Sequence, residues 1–328
     1  MDFWFVLSQS VTQAIGISAI IYGLAAVGLN VQFGYTGLLN FGVVAFAAVG
    51  AYSVGVIVVT LGLSLWLALP VALLAAVILA LILGIPTLRL RADYLAIVTI
   101  ATSEIVRQIV RSIALRDVLG GPNGINGKMG RDFHNLNPFP ADFSLPFFNY
   151  TRQDLWVVIV GWVLIAVISL AVWMMMRSPW GRVLRGIRED EYAVVSLGKN
   201  AYLYKMQALI IGGMIGAVAG IIWAIAKQSV QPDVFVPDFT FYVYTILLLG
   251  GAARILGPIA GTIIFWFLLT FFGEFLTQAI TAGWLPFLDI TDVAAIRFIL
   301  VGVGLMLLMV WRPQGIFGDR RELALDGR

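Results

Sequence analysis

Apolar runs of membrane-spanning length recur along this chain, and that recurrence limits its folding options more than any other feature. Residues 38–60, 65–84, 155–176, 206–226 and 256–276 are the clearest. The hydrocarbon core of a bilayer is about 30 Å thick and takes ~20 residues of α-helix to cross. Inside it every backbone N–H and C=O needs a partner within the protein, which leaves helices or closed barrels. Barrel strands are about half as long as these runs, so the runs specify helices. Composition agrees, with 60% hydrophobic and only 12% charged residues, where a soluble domain carries about twice that charge. The chain therefore reads as all-α, a polytopic integral membrane helical bundle of about eight spans forming one domain over residues 1–328. That count includes as a crossing the short run Phe241–Leu249, which is either a half-helix or part of one kinked span running on past Gly251.

Several functions are excluded by what the chain lacks. It has no cysteine, which removes disulfides, thiol chemistry and Cys-based metal sites. Its one histidine, His134, sits among Asn and Pro and reads as a solvated loop residue without a role. The turn-forming GGPNG at 120–124 has neither Lys nor Ser/Thr in phosphate-loop order, and no nucleotide motif occurs elsewhere. The net charge of +3 is small and the basic residues gather beside spans, a pattern of membrane orientation and not of nucleic-acid binding. Residues 1–10 read as a polar lead before a retained first span, Val11–Leu29.

The most polar long interruption between spans is Arg177–Lys205. It carries Arg182, Arg185 and Arg188, then Glu189, Asp190 and Glu191, then Lys199 and Lys205. Gly181–Leu197 suits one short amphipathic helix, with Val183, Leu184, Ile187, Val194 and Val195 available for one face and Gly198 placed to end it. An anionic lipid surface would repel the acidic run, so a protein partner is the better reading. Cytoplasmic loops are enriched in Lys and Arg. With the amino terminus outside and the carboxyl terminus inside, thirteen Lys and Arg fall on the inner side against eight on the outer. Residues 177–205 are then a cytoplasmic loop and 112–153 an extracytoplasmic one.

Two glycine-punctuated segments flank long runs, one early (Gly34, Gly37, Asn40, Gly42) and one late (Gly250, Gly251, Gly257, Pro258). Interrupted helices in corresponding halves of a chain point to a transport path. Close helix packing is an equally good reading of the same residues. Packing is the better reading for Gly212, Gly213, Gly216 and Gly220. Glu104, Gln108 and Arg111 share one helical face with Arg107 near Glu104, near the outer end of a span, and read as a structural ion pair ahead of a gate. An ion-coupled carrier would need acidic groups near mid-bilayer, and no matched catalytic pair speaks for an intramembrane enzyme.

The segment GRVLRGIREDEYAVVSLGKN at 181–200 resembles the cytoplasmic segment of branched-chain amino acid ABC transporter permeases, of the M type. So do GYTGLLNFG at 34–42, LRLRADYLAIVT at 88–99, GGPNGI at 120–125, LGGAARILGPIAG at 249–261 and WRPQGIFG at 311–318, in the family's order over nearly the whole chain. Ala92-Asp93, Ala253-Arg254 and Asn40 depart from its usual residues, and urea and short-amide permeases are closely similar, so the cargo stays open among these. The resemblance implies a subunit of an importer in the bacterial inner membrane. It would form a pore with a second homologous permease, take solute from an extracytoplasmic binding protein and dock two ABC ATPase subunits. ATP and magnesium would be held by the ATPases, with no cofactor, catalytic residue or metal in this chain. The coupling role would fall on Arg182, Arg185, Arg188, Glu189, Asp190, Glu191 and Gly198, and the translocation path on the two glycine segments.

Overall fold

The computed structural model describes residues 3–89, 92–145, 148–284, 289–312 and 314–318. Arg91, Arg320, Arg321 and Arg328, counted in the charge comparison above, lie outside them. The chain is a bundle of helices: α1 Phe3–Ala14, α2 Ile17–Leu29, α3 Val43–Val54, α4 Leu65–Thr87, α5 Ala92–Arg111, the short α6 Arg116–Leu119 and α7 Arg131–His134, then α8 Arg152–Arg177. After these come α9 Pro179–Glu189, α10 Glu191–Ser196, α11 Ala201–Lys227, α12 Pro237–Gly250, α13 Leu256–Thr281 and α14 Val293–Trp311. Wide π-helical turns extend α2 to Gly34 and α3 to Thr60.

Seven segments are long and apolar enough to cross a membrane: Ile17–Gly34, Val43–Thr60, Leu65–Thr87, Arg152–Arg177, Ala201–Lys227, Pro232–Gly250 and Leu256–Thr281. Helices α5 and α14 are of similar length. Among the described residues nine helical segments thus have membrane-spanning length, against the eight spans expected. The first span also differs from expectation. The chain bends at Gly16, whose backbone is extended, so that α1 is a separate helix lying along α13 and the span starts at Ile17. Residues 3–14 are thus packed helix and not a polar lead. The run at 241–249 does not continue as a kinked span: α12 starts at Pro237 and ends at Gly250, where Gly251 and Ala253 take positive φ and reverse the chain.

The α3–α11 contact lies at the centre of the core. A Cβ on Gly220 would sit 1.9 Å from the Ala47 carbonyl oxygen, one on Gly213 would sit 2.4 Å from the Phe46 ring, and one on Gly212 would sit 2.6 Å from the Gly28 carbonyl. These glycines let backbones touch, which in lipid replaces hydrophobic burial as the source of helix association.

At one end of the bundle, residues 112–145 and 148–151 fold over the helix ends. β1 (Ile125–Asn126) pairs antiparallel with β4 (Ser229–Val230), and β2 (Phe143–Leu145) with β3 (Phe148–Tyr150). Asp132 accepts from the Leu65 N–H at 2.9 Å and so fastens α7 to the start of α4. His134 is half-buried against α11 beside Phe133, and is not the solvated residue expected. The opposite end carries α9 and α10. They are two helices, not one, because Asp190 leaves helical geometry at φ −153° and caps α10 by accepting from the Ala193 N–H at 3.0 Å.

Two outcomes follow. Gly220→Leu should lower the melting temperature of the detergent-solubilised chain by on the order of 5 °C or more, while Gly302→Ala, which meets open space, should leave it unchanged or slightly raised. Burial pushes the His134 imidazole below its ordinary range, only partly offset by the Ile225 carbonyl and Asp154. The unfolded chain then binds the proton more readily, so stability should rise with pH through roughly 5 to 7 and fall on acidification. Melting curves across that window should show this slope flattened in His134→Gln.

Candidate functional site

The two glycine segments, far apart in sequence, are clasped together. Asn30, buried in the last turn of the first span, accepts from the Ala253 N–H at 2.9 Å and donates to the Arg254 carbonyl at 2.8 Å. One amide side chain thereby serves both a donor and an acceptor of the reversed backbone after α12. Gly34 has no room for a side chain here, since a Cβ would lie 2.0 Å from Asn30 Oδ1 and 2.7 Å from the Ala253 nitrogen. The same reversal is closed from the far side by the segment after α14: Ile316 and Phe317 donate their N–H groups to the Leu249 and Gly250 carbonyls at 3.0 Å each. Gly250 and Gly257 sit backbone to backbone, with a Cβ on Gly250 only 1.8 Å from the Gly257 carbonyl. Pro258 is buried in the first turn of α13. Of the two readings of these residues, close packing is directly visible in the geometry.

Residues 37–42 are non-helical although they lie between two spans, and Leu38, Asn40 and Gly42 among them are buried. Side chains supply what a helix would otherwise provide. Asn40, fully buried, donates to Gln32 Oε1 at 2.9 Å and accepts from the Gly42 N–H at 2.8 Å. Gln32 donates onward to the Leu209 carbonyl of α11 at 3.1 Å. The Phe41 N–H reaches Thr99 Oγ1 at 3.0 Å, the Val44 N–H reaches Thr240 Oγ1 at 3.2 Å, and the Tyr244 hydroxyl donates to the Asn40 carbonyl at 3.1 Å. The Phe41 and Tyr244 rings stack with centroids 4.5 Å apart. Each group left unpaired in a low-dielectric interior costs several kcal/mol on the order of its full desolvation, so the irregular loop and its polar ring stand or fall together.

The charged end is wired to this clasp. Arg188 of α9 donates to the Gly34 carbonyl at 2.7 Å, and its stem packs on Gly37, which takes φ 75°. Arg185 turns the other way and donates to the Met176 carbonyl at the end of α8, at 2.8 Å. Leu184, Ile187 and Val194 are buried beneath the two helices. Glu191 is ion-paired to Lys205 of α11. Arg182 and Glu189 face outward, and Gly198, at φ 76° with open space around it, ends α10. Of the seven residues proposed for coupling, then, Arg188 alone touches a glycine segment, while Arg185, Asp190 and Glu191 hold the two helices in place. Sequence reasoning did not single out Tyr192 and Leu197, 87% and 80% exposed, which with Val195 make an apolar outer face on α10. The signal was present as large apolar residues in the most polar loop.

At the opposite end Arg107 and Gln108 both bond Glu104, and Arg107 and Arg111 reach Asp233 at 3.5 and 3.4 Å. This network ties α5 to the turn before α12, as a structural ion pair would. Among the described residues no three acidic or His side chains converge to hold a metal ion.

Asn30→Ala removes both bonds to the reversal and leaves the Ala253 N–H without its acceptor. Amide exchange of residues 252–254 should accelerate by about tenfold or more, the scale of one lost buried hydrogen bond, with the exchange of α3 and α11 unchanged.

Comparison with known proteins gives this architecture a family. The model of the branched-chain amino acid transport system permease component matches residues 12–310. The high-affinity branched-chain amino acid transport system permease protein LivM of Escherichia coli K12 is 31% identical over 324 residues, covering 93% of this chain and 69% of that protein. A probable branched-chain amino acid transport permease protein LivM of Methanocaldococcus jannaschii is 25% identical, covering 92% and 91%. The nucleoside ABC transporter permease protein NupC of Lactococcus lactis is 23% identical over 76% of each chain. The chain, a multi-pass membrane protein and not an enzyme, belongs to the permease-component family of branched-chain amino acid transport systems.

Proposed function

We propose that this chain is the permease subunit of an ABC importer for leucine, isoleucine and valine, forming a pore with a second homologous permease. The bond from Arg188 to the Gly34 carbonyl carries the reading. It joins the helices that face outward at the charged end to the broken segments inside the bundle, so a displacement of α9 is felt at Gly34, Asn30 and the reversal at Gly251–Arg254. The excess of Lys and Arg on that end supports a cytoplasmic position for α9, α10 and the carboxyl terminus in a bacterial inner membrane. The ATPase subunits dock there, and residues 112–151 meet the solute-binding protein outside. Tyr192 is the main anchor for the ATPase, since tyrosine is enriched among the residues that carry interface energy, with Val195 and Leu197 exposed beside it and Glu189 the polar contact. Glu191 serves inside the chain, paired with Lys205. The names of the relatives support the cargo. Transport is alternating access between two arrangements of the spans, with the hinge at the clasp, and ATP and magnesium stay on the partner chains.

Tyr192→Ala combined with Leu197→Ala should cut leucine uptake by the complete transporter by about tenfold or more, the loss of a single strong interface anchor, at unchanged membrane level. Co-purification of the ATPases should fall in parallel. Full uptake in the double variant would remove α10 as the docking element. Cargo is read by competition: isoleucine and valine should block leucine uptake, and urea or acetamide should not.

A further inference from the structure

At the end of α8 that carries α9 there is a cleft of about 600 Å³ whose wall includes Arg177, Arg185 and Arg254 together with Trp173, Tyr35 and Phe317. Among the described residues no carboxylate lines it. The Arg177 guanidinium lies 3.9 Å from the Trp173 ring centroid. Stacking uses the face of the guanidinium and leaves its in-plane N–H donors free to point outward. Those donors meet no acceptor among the described residues. Arg185 donates from one terminal nitrogen to the Met176 carbonyl and from Nε to the Gly181 carbonyl, which leaves its other terminal nitrogen for the cleft. From Arg177 an apolar stripe of exposed side chains runs along α8: Met174, Leu170, Val167 and Val163, at helical spacing of three and four. Leu256 and Phe317, also exposed, form the other rim.

A cationic cup at the end of a lipid-length apolar stripe fits one ligand chemistry: a phosphate group joined to hydrocarbon. We infer that this cleft binds an anionic phospholipid of the cytoplasmic leaflet, its headgroup phosphate on the three arginines and an acyl chain along α8. Basic pockets between spans on the cytoplasmic side are suited to such headgroups. The acidic run Glu189–Glu191 does not oppose it, since none of those residues lines the cleft. The lipid would bridge α8, α9 and the segment after Gly251, three elements on either side of the clasp. The side of the membrane rests on the orientation adopted above, whereas the binding itself does not.

Native mass spectrometry of the full chain in detergent, titrated with phosphatidylglycerol, phosphatidylcholine or inorganic phosphate, tests this without using transport as the readout. Phosphatidylglycerol should be retained at least about fivefold better than phosphatidylcholine, and Arg177→Gln should weaken it roughly fivefold, with Arg177→Gln/Arg254→Gln roughly 25-fold, the scale of one basic residue at an anionic surface each time. Lys199→Gln, an exposed charge outside the cleft, should change nothing. The single variant suffices if the double one fails to fold, because Arg177 makes no hydrogen bond that the fold needs. Equal retention of the two lipids, or an equal loss in Lys199→Gln, overturns the inference. Displacement of phosphatidylglycerol by millimolar inorganic phosphate would also overturn it, in favour of a soluble phosphate ligand.

Discussion

A polypeptide that leaves helical geometry inside hydrocarbon must find replacement partners for its freed backbone groups, and this requirement governs the arrangement of the whole molecule. The chain breaks helix at residues 37–42, where Leu38, Asn40 and Gly42 are buried, and at 251–255, at the end that carries α9. The first break is satisfied by Asn40, Gln32, Thr99, Thr240 and Tyr244, drawn from four different parts of the sequence. The second is satisfied by Asn30 and by the segment after α14. The helices that supply these groups must therefore be neighbours. Helix adjacency is set by polar atoms as much as by shape.

The rest of the packing is of the opposite kind. Helices α3 and α11 meet through small residues with backbones nearly touching, and no polar side chain is needed to hold them. One part of the molecule is thus close-fitted. The other is a set of breaks held by single hydrogen bonds worth about 1 kcal/mol net apiece. Bonds of that size can be exchanged during a transport cycle, whereas backbone contacts within a close-packed core offer no intermediate arrangement. The connection from Arg188 enters the second kind of region and not the first.

How much of this was legible in the sequence depended on the physics involved. Span length and apolar content are local properties, so the all-α bundle followed from runs such as 65–84 and 206–226. The order of motifs pointed to the family without geometry. What one dimension concealed was pairing across distance. Asn30 opens the interruption that follows the first apolar run, and only the fold reveals that its partners are residues 253 and 254. The break at Asp190 was hidden for a related reason: an acidic run suits a solvated helix face as well as a cap, and the choice rests on one φ angle. Gly16 was likewise passed over because an apolar run with glycine in it reads as continuous until a neighbouring helix is seen to take the first part away.

The pairing of Ile316 and Phe317 with Leu249 and Gly250 has a bearing on biogenesis. Spans enter the bilayer in order of synthesis, so α12 is inserted well before the residues that complete its end have been made. During that interval the Leu249 and Gly250 carbonyls depend on water, lipid headgroups or the insertion machinery. The break therefore reaches its final form only when residues 316 and 317 arrive, and a nascent chain arrested before residue 316 would carry the membrane spans without the bonds that close the end of α12.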